Sequence, residues 1–387
     1  MTSSSTHRRL AGAVVVIGAV ASVLMMTACT AGAPSDAVPA ETRRAPSVTV
    51  SAPPVGGAFA LDGAPVTLAS ALEAPWSVVP LPEGGALISQ RDDGRVRQLL
   101  PDGTIRDAGT VPGVVSGGES GLHGLALHEA SGVRWLYAYH GAADDNRVVR
   151  MSLTGENSTL ALGAPDVVFS GIARARTHNG GRIAFGPDGF LYVTTGDAGD
   201  RALAQDEASV NGKILRLTAE GAPAPGNPFG TAVWSLGHRN VQGLAWTASG
   251  TLWASEFGQD TWDELNVIRA GGNYGWPEVE GAAADARFVD PVAVWTPTEA
   301  SPSGVAAVGD TVFVTGLRGE RLWIVDTSGA SLRADPRAVL VGEQGRLRDA
   351  VAAPDGSLWL LTGNTDGRGA PRLGDDVLLR IGLSPTP

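Results

Sequence analysis

Short apolar segments recur along residues 60–387, and each follows a turn that contains glycine. These segments are 82–88, 132–137, 187–193, 249–253, 309–314 and 354–360. Successive side chains of a β-strand point to opposite faces of its sheet, so alternation of apolar and polar residues predicts strands. Glycine-bearing turns between such strands predict antiparallel connections.

A second predicted strand follows each of the six turns. These strands are 95–99, 147–153, 213–217, 264–268, 321–325 and 376–381. The units repeat at intervals of roughly 50 to 60 residues, which is the length of a four-stranded propeller blade with variable loops. We therefore predict an all-β fold, a six-bladed β-propeller of four-stranded antiparallel blades. A pair of β-sandwiches is the structural alternative.

Residues 1–29 have the pattern of an export signal. A basic segment at 7–9 precedes an apolar run at 10–26, and two small residues precede Cys29. Small residues directly before a cysteine resemble the bacterial lipoprotein signal, in which that cysteine carries the lipid. We predict a lipoprotein-type signal and an extracytoplasmic domain anchored to the membrane at Cys29. A simple secretory signal and an uncleaved anchor are the alternatives.

The segment 30–59 is rich in Ala, Pro, Ser and Thr and lacks apolar periodicity, so it predicts a flexible tether. We predict that residues 60–387 form the propeller domain. Cys29 is the only cysteine of the chain, so this domain has no disulfide and depends on its own core for stability.

The charge composition restricts the ligands of the protein. Forty acidic and 29 basic residues give a net charge of −11, which disfavours a nucleic acid partner. Lys213 is the only lysine, so nearly all positive charge comes from arginine. Arginine binds planar carboxylates through two parallel hydrogen bonds, which lysine cannot do.

Four stretches are more specific than ordinary blade sequence: 177–182, 236–245, 255–266 and 271–277. Together they resemble the soluble dehydrogenases of glucose and other aldoses that depend on pyrroloquinoline quinone (PQQ), the glucose/sorbosone dehydrogenase family. The resemblance extends over 65–382. It implies a glucose-type aldose dehydrogenase that oxidises the anomeric C1 hydroxyl to a lactone and passes electrons to an external acceptor.

The resemblance also implies a set of cofactor-binding residues. It assigns Arg318, Arg346 and Arg348 to the three carboxylates of PQQ. Side chains two apart on an extended segment point to the same side, as expected of the pair in 346–348. The remaining assignments are Arg239 with Asn240 at the quinone oxygens and Glu119 against the cofactor.

His178 is the candidate general base, with Arg239 as the second catalytic residue. Neutral imidazole can accept the proton of the anomeric hydroxyl while a hydride leaves the same carbon. The family often has Asp before this His, and this chain has Thr177 there. Asp197 is a candidate for the missing orienting carboxylate.

Calcium is the metal that the resemblance implies. The backbone carbonyls of Gly258 and Gln259 are assigned to a calcium ion beside the cofactor, and Glu264 with the carbonyl of Tyr274 to a structural one. Oxygen ligands are those that calcium prefers. The alternative for 263–264 is a solvated turn.

The segment 295–303 resembles the wall beside the sugar in this family. Two other functions stay open from the sequence. One is a lactonase-type hydrolase, which would need Asp, Glu and Asn side chains around a calcium ion. The other is a propeller that binds a sugar or a protein without turnover. The absence of an Asp directly before His178 keeps this second possibility open.

Overall fold

The computed structural model describes residues 56–386, which form the predicted six-bladed β-propeller. Each blade is an antiparallel sheet, and within the described residues the only helix is a 3₁₀ turn at Arg201–Ala204. None of the described residues forms a helix of sufficient length and apolarity to cross a membrane. The predicted signal, Cys29 and most of the predicted tether lie outside the described residues.

The strands follow one another from the axis outwards within each blade. Blades one and two contain β2 (Pro75–Pro80), β3 (Ala86–Gln90), β4 (Arg95–Leu99), β5 (Ile105–Thr110), β6 (Leu122–Ala130), β7 (Val133–Gly141), β8 (Asn146–Thr154) and β9 (Ala161–Ile172). Blades three and four contain β10 (Ile183–Phe185), β11 (Leu191–Thr194), β12 (Lys213–Leu217), β13 (Val233–Leu236), β14 (Val241–Trp246), β15 (Leu252–Glu256), β16 (Asp263–Ile268) and β17 (Ala293–Trp295). Blades five and six contain β18 (Pro302–Val308), β19 (Thr311–Gly316), β20 (Arg321–Ser328), β21 (Ser331–Leu332), β22 (Arg337–Val339), β23 (Leu347–Ala352), β24 (Leu358–Thr362) and β25 (Leu378–Thr386), and β1 (Ala58–Ala69) joins blade six.

Two blades depart from the simple four-strand pattern. In blade five, two short strands, β21 and β22, both pair with β20 in place of a single outer strand. In blade six the outer strand is β1, which pairs with β25 from Ala58↔Thr386 to Ala69↔Leu378. The beginning and the end of the propeller are therefore hydrogen-bonded to each other, which closes the ring.

The hydrophobic core consists of six separate clusters, one between each pair of neighbouring blades. Between blades four and five, Trp253 and Val314 are fully buried, and Trp295 stacks on Trp323 with ring centroids 5.1 Å apart. Trp295 is only 5% exposed. Its ring therefore belongs to this interface between blades and cannot form a wall of a ligand cavity.

Five of the six inner strands contain a β-bulge. The register of β2, β6, β14, β18 and β23 against the next strand shifts near the start of each strand. A bulge leaves a residue outside the ladder and changes the direction of its side chain. The residues at these positions are Trp76, His123 with Gly124, Gln242, Ser303 with Gly304, and Arg348.

A buried ion pair joins opposite blades across the axis. Arg182, directly before β10, donates to Asp349 on β23 over 2.9 Å, and the two side chains are 8% and 2% exposed. Arg182 also donates to Ser77 Oγ and to the backbone carbonyl of Gln242. Its guanidinium lies 4.4 Å from the centre of the Trp76 ring. One arginine therefore contacts blades one, four and six from blade three.

Lys213, at the start of β12, is fully buried. Its Nζ donates to the backbone carbonyls of Leu203, Ala204 and Asn211 at 2.6, 2.9 and 2.8 Å. Burial lowers the pKa of this lysine to about 8. All three donors of the ammonium group are satisfied, so the lysine fixes the loop that precedes its own strand.

We expect the pair at the axis to matter strongly for stability. Removing one partner of a buried ion pair leaves an uncompensated buried charge, at a cost of about 3–5 kcal/mol. Arg182→Met should lower the free energy of unfolding by that amount in denaturant titrations. Arg287→Met, which breaks an exposed pair with Asp285, is the control and should cost less than about 1 kcal/mol. Equal losses in the two variants would contradict this role of the axial pair.

Candidate active site

Charged side chains surround a cavity of about 300 Å³ at the axis of the propeller. The lining contains five arginines and two carboxylates, which leaves three positive charges in excess. The residues that line it are Trp76, Arg91, Glu119, Gln242, Phe257, Ser301, Leu317, Arg318, Arg346, Arg348, Asp366 and Arg368. Such a cavity favours a small ligand with several negative charges.

Asp366 holds the two predicted arginines of 346–348 in place. Its Oδ2 accepts from Arg346 at 2.8 Å and from Arg348 at 3.0 Å, and Arg348 also donates to Gln242 Oε1. Burial alone would raise the pKa of Asp366, but the two guanidinium groups outweigh it and hold the pKa below its usual value. The carboxylate therefore fixes both cations beside the cavity without cancelling their combined charge.

The lining also includes two arginines that the sequence analysis did not predict. Arg91 donates to the backbone carbonyl of Asp366 at 3.2 Å, and Arg368 donates to Glu119 Oε1 at 2.8 Å. Neither residue lies in one of the recognised stretches, so the sequence offered no local signal for them. All three predicted arginines, Arg318, Arg346 and Arg348, line the cavity. Of these, Arg318 is exposed to solvent.

His178 has an unusual backbone conformation. Its φ angle of 56° lies in the left-handed region, which costs a residue other than glycine of order 1–3 kcal/mol. The N–H of His178 donates to Glu119 Oε2 at 2.8 Å, and its carbonyl accepts from Ala198. Glu119 therefore both lines the cavity and holds the histidine beside it.

The ring of His178 is oriented by a buried carboxylate. Its Nδ1 lies 2.7 Å from Oδ1 of Asp197, which is fully buried, and the other oxygen of Asp197 accepts from Trp276 Nε1. Burial alone would raise the pKa of Asp197, but hydrogen bonds from His178 and Gly199 outweigh it and lower the pKa. A hydrogen bond from Nδ1–H to this carboxylate orients the ring and leaves Nε2 as its acceptor nitrogen.

Arg239 and Asn240 contact residues around this histidine and lie outside the lining of the cavity, and the carbonyl of Arg239 accepts from the N–H of Asp197. Arg239 donates to Gln259 Oε1 at 2.8 Å and to the carbonyl of Phe257, and its burial lowers its pKa. Oδ1 of Asn240 accepts from the N–H of Gly180, which fixes the turn after His178. The contact through the side chain of Gln259 was missed by sequence reasoning, which considered only the carbonyl of that residue.

A single carboxylate oxygen holds the loop that contains Gln259. Oε1 of Glu280 accepts from the backbone N–H groups of four consecutive residues, Gln259, Asp260, Thr261 and Trp262, at 2.6, 3.0, 2.9 and 3.1 Å. Burial alone would raise the pKa of Glu280, but these bonds lower it. The carbonyls of Gly258 and Gln259 thus belong to a loop of fixed conformation.

Glu264 and Tyr274 are both buried in blade four and its following loop. Burial and the carboxylate of Glu256, directly opposite on β15, raise the pKa of Glu264. Its neighbour Asn266 donates to it at 3.0 Å, but Oδ1 of Asn266 is buried without a donor. A buried carboxylate beside an orphaned amide oxygen fits a hard cation such as calcium, and it is not the solvated turn that was the alternative.

His123 lies in a stack of aromatic rings below the cavity. Its ring centroid is 4.9 Å from that of Trp76 and 5.8 Å from that of Tyr139. Nε2 bonds to the carbonyl of Glu119 at 2.7 Å, and Nδ1 is buried without a partner. Burial lowers the pKa of His123 to about 3, so its ring is neutral at physiological pH.

The fold and the cavity define a six-bladed propeller with an arginine-lined anion site at its axis and a carboxylate-oriented histidine beside it. The chain belongs to the glucose/sorbosone dehydrogenase family, whose sequence model matches residues 72–379. It is similar to the PQQ-bound aldose sugar dehydrogenase of Streptomyces coelicolor, with 50% identity and a TM-score of 0.81 over 86% of this chain and all of that one.

Two curated relatives support this assignment to the family. An aldose sugar dehydrogenase of Escherichia coli is 29% identical over 80% of this chain and 93% of its own length. Quinoprotein glucose dehydrogenase B of Acinetobacter calcoaceticus is 31% identical over 57% of this chain and 53% of its own. Within residues 56–386 no three His, Cys, Asp or Glu side chains form a group that could hold a metal ion.

The buried ring of His123 should make stability depend on pH. Its pKa rises from about 3 in the folded protein to about 6.5 on unfolding, so its stabilising contribution is full above pH 6.5 and is lost as pH falls toward 3. Each proton taken up on unfolding changes the free energy of unfolding by about 1.4 kcal/mol per pH unit. His123→Phe and His123→Gln should both flatten the fall in unfolding free energy between pH 6 and 4 by that amount. Slopes equal to that of the unsubstituted protein would refute the assignment.

Proposed function

We propose that this chain is a PQQ- and calcium-dependent aldose dehydrogenase that oxidises the anomeric C1 hydroxyl of aldoses to a lactone. The observation that carries the proposal is the cavity with three excess positive charges beside His178. PQQ has three carboxylates, so the charges match in number. The named activity of the relatives from Streptomyces coelicolor and Escherichia coli supports the same function.

The residues present would hold this cofactor by their charge and hydrogen-bonding groups. Arg318, Arg346 and Arg348 would bind its carboxylates, and Arg239 with Asn240 would face the quinone oxygens. When bound, PQQ supplies the acceptor for the hydride of the sugar, and a calcium ion beside it makes that acceptor more electrophilic. The carbonyls of Gly258 and Gln259 would bind this calcium, and Glu264 with the carbonyl of Tyr274 would bind a structural one.

His178 would take the proton of the anomeric hydroxyl on Nε2 as the C1 hydride leaves. Asp197 keeps the other ring proton on Nδ1 and stabilises the imidazolium that forms. The residue at 177 is not the orienting carboxylate, and in this arrangement Asp197, in the loop that follows β11, takes that role. Arg239, held by Gln259 and Phe257, keeps a positive charge beside the reacting groups.

We also propose, from the sequence, an external electron acceptor, an extracytoplasmic location and a lipid anchor at Cys29.

Reconstitution tests the proposed function directly. Purified protein given PQQ and calcium should reduce a dye when an aldose is added, and removal of calcium by a chelator should abolish the activity. His178→Ala should lower turnover at least 100-fold, because a general base contributes about 10²–10⁴, and it should leave the cofactor's absorbance change intact.

Arg348→Met should give the opposite pattern, with loss of cofactor binding at the concentrations that saturate the unsubstituted protein. If neither absorbance change nor dye reduction occurs with the unsubstituted protein, the proposed function is wrong. If His178→Ala loses the cofactor, the histidine has a binding role and is not the base.

Asp197→Asn should separate orientation from binding. The amide cannot stabilise an imidazolium and no longer selects the Nδ1–H tautomer, so kcat should fall about 10²–10⁴-fold with cofactor affinity unchanged. Asp200→Asn, at an exposed position three residues further along the chain, is the control and should retain activity. Steady-state kinetics and cofactor titration measure both quantities. Activity within threefold of the unsubstituted protein would show that Asp197 does not act through His178.

A further inference from the structure

Two exposed arginines lie on the segments that hold His178 and Asp197. Arg176 is two residues before His178, and Arg201 begins the 3₁₀ turn in the loop between β11 and β12, which also contains Asp197. The two segments are in contact, since the carbonyl of His178 accepts from the N–H of Ala198. Both arginines therefore belong to backbone segments that meet at the histidine.

The backbone of Arg176 lies at the edge of the axial cavity. Its carbonyl accepts from the N–H of Glu119 at 2.8 Å, and Glu119 lines the cavity. A Cβ atom on the neighbouring Gly118 would overlap the same carbonyl oxygen, so the two segments are in close contact. Arg176 is therefore anchored beside the cavity by its backbone, while the residue itself is exposed to solvent.

The guanidinium of Arg201 lies over the ring of Trp276. Its central carbon is 5.2 Å from the ring centroid, and that of Arg239 is 5.5 Å from the same centroid. Nε1 of Trp276 donates to Asp197, whose other oxygen orients His178. A cation–π contact positions an arginine without neutralising its charge. The charge of Arg201 is thus held close to the histidine and its carboxylate.

Neither Arg176 nor Arg201 has a carboxylate partner among residues 56–386. No carboxylate oxygen of these residues lies within 4.0 Å of either guanidinium. The exposed Arg287, in contrast, is paired with Asp285 at 2.8 Å. In a chain of net charge −11, two unpaired cations on segments that meet at one histidine favour an anionic ligand there.

The cofactor does not account for these two charges. The three excess positive charges of the axial cavity match the three carboxylates of PQQ, and neither Arg176 nor Arg201 lines that cavity. Since His178 acts on the sugar in the proposed function, the ligand that reaches these arginines is the sugar. A carboxylate or a phosphate on the sugar forms charge-assisted hydrogen bonds with a guanidinium, which a neutral aldose cannot do.

We propose that the substrate is an acidic aldose with an anionic group on C6, and that Arg201 and Arg176 bind this group. The inference rests on the proposed function and names its substrate class. The proton of the C1 hydroxyl passes to His178 and the C1 hydride to PQQ, as for a neutral aldose, while the anionic group is unchanged. A hexuronate would give the monolactone of an aldaric acid, and glucose 6-phosphate a phosphorylated lactone.

Kinetics with glucuronate, glucose 6-phosphate and glucose test this substrate class. Arg201→Met should lower the ratio of kcat/KM for glucuronate to kcat/KM for glucose about fivefold, since a charge-assisted pair at an exposed site is weaker than a buried one. Arg176→Met should act in the same direction. Arg201→Lys, which keeps the charge, should recover part of the loss. The acidic sugar with the larger loss carries the anionic group that the site binds best.

A matched control and a change of salt complete the kinetic test. Arg269→Met removes another exposed arginine without an ion pair, directly after β16 at the end of blade four away from the cavity, and should leave the ratio unchanged. High salt should lower kcat/KM for glucuronate and leave that for glucose unchanged, because salt screens exposed charges.

Other results would overturn the proposal. An equal loss for glucuronate and glucose in Arg201→Met would mean that this arginine only supports Trp276 and Asp197. A ratio that stays the same when both arginines are replaced would show that neither binds the anionic group. A kcat/KM of the unsubstituted protein that is lower for both acidic sugars than for glucose would show that the site does not select them.

A binding measurement separates this inference from the proposed function. Methyl glucuronoside and methyl glucoside have a blocked C1 hydroxyl, so the enzyme cannot oxidise them there. Calorimetry on protein given PQQ should show tighter binding of the glucuronoside. The variant with both Arg176→Met and Arg201→Met should lose this preference, although the arginines of the axial cavity are the same in both proteins.

The two measurements together assign each failure. If the preference for the glucuronoside depends on the two arginines but no aldose is oxidised on reconstitution, the acidic-sugar site stands and the dehydrogenase function falls. If glucose is oxidised and neither binding nor kinetics shows a preference for the acidic sugar, the function stands and the acidic-sugar site falls.

Discussion

A cation can be buried at the centre of a propeller only if a counter-charge reaches it, and here the counter-charge comes from the opposite blade. Arg182 and Asp349 meet across the axis with almost no exposure to solvent. Each of the six apolar clusters joins two neighbouring blades. The ion pair of Arg182 and Asp349, in contrast, directly connects blades three and six, which lie opposite each other. Burial without pairing would cost several kcal/mol, so the two opposite blades must keep their distance from the axis nearly constant.

The same contact supports the floor of the active site. Gln242 lies in the bulge of its inner strand, accepts from Arg182 through its backbone carbonyl and accepts from Arg348 through its side chain. Gln242 therefore connects the ion pair of Arg182 and Asp349 at the axis, which is neutral overall, to the arginines that line the cavity. Trp76 makes a similar connection, because it lies against Arg182 and also lines the cavity. The bulges thus give the inner strands two functions, ring closure and ligand contact.

The sequence predicted the second and third strands of every blade correctly, and the reason is physical. Those strands lie in the middle of each sheet, where regular pairing keeps the apolar alternation intact. The inner strands are broken by bulges that carry polar residues such as Gln242, and the outer strands are partly exposed, so neither type keeps a clear period. The cavity-lining arginines of 346–348 were predicted from the family resemblance and from their two-residue spacing. Asp366, Arg91 and Arg368 were not, because their role depends on loops that meet only in the folded ring.

Lys213 gives this protein an unusual surface chemistry. The single lysine of the chain has its ammonium group enclosed by three backbone carbonyls under the loop that precedes β12. Reagents that acylate side-chain amines, which are the usual means of cross-linking a protein or attaching it to an electrode, therefore find no accessible lysine on the propeller. The abundant carboxylates of the surface are the natural handles for such attachment.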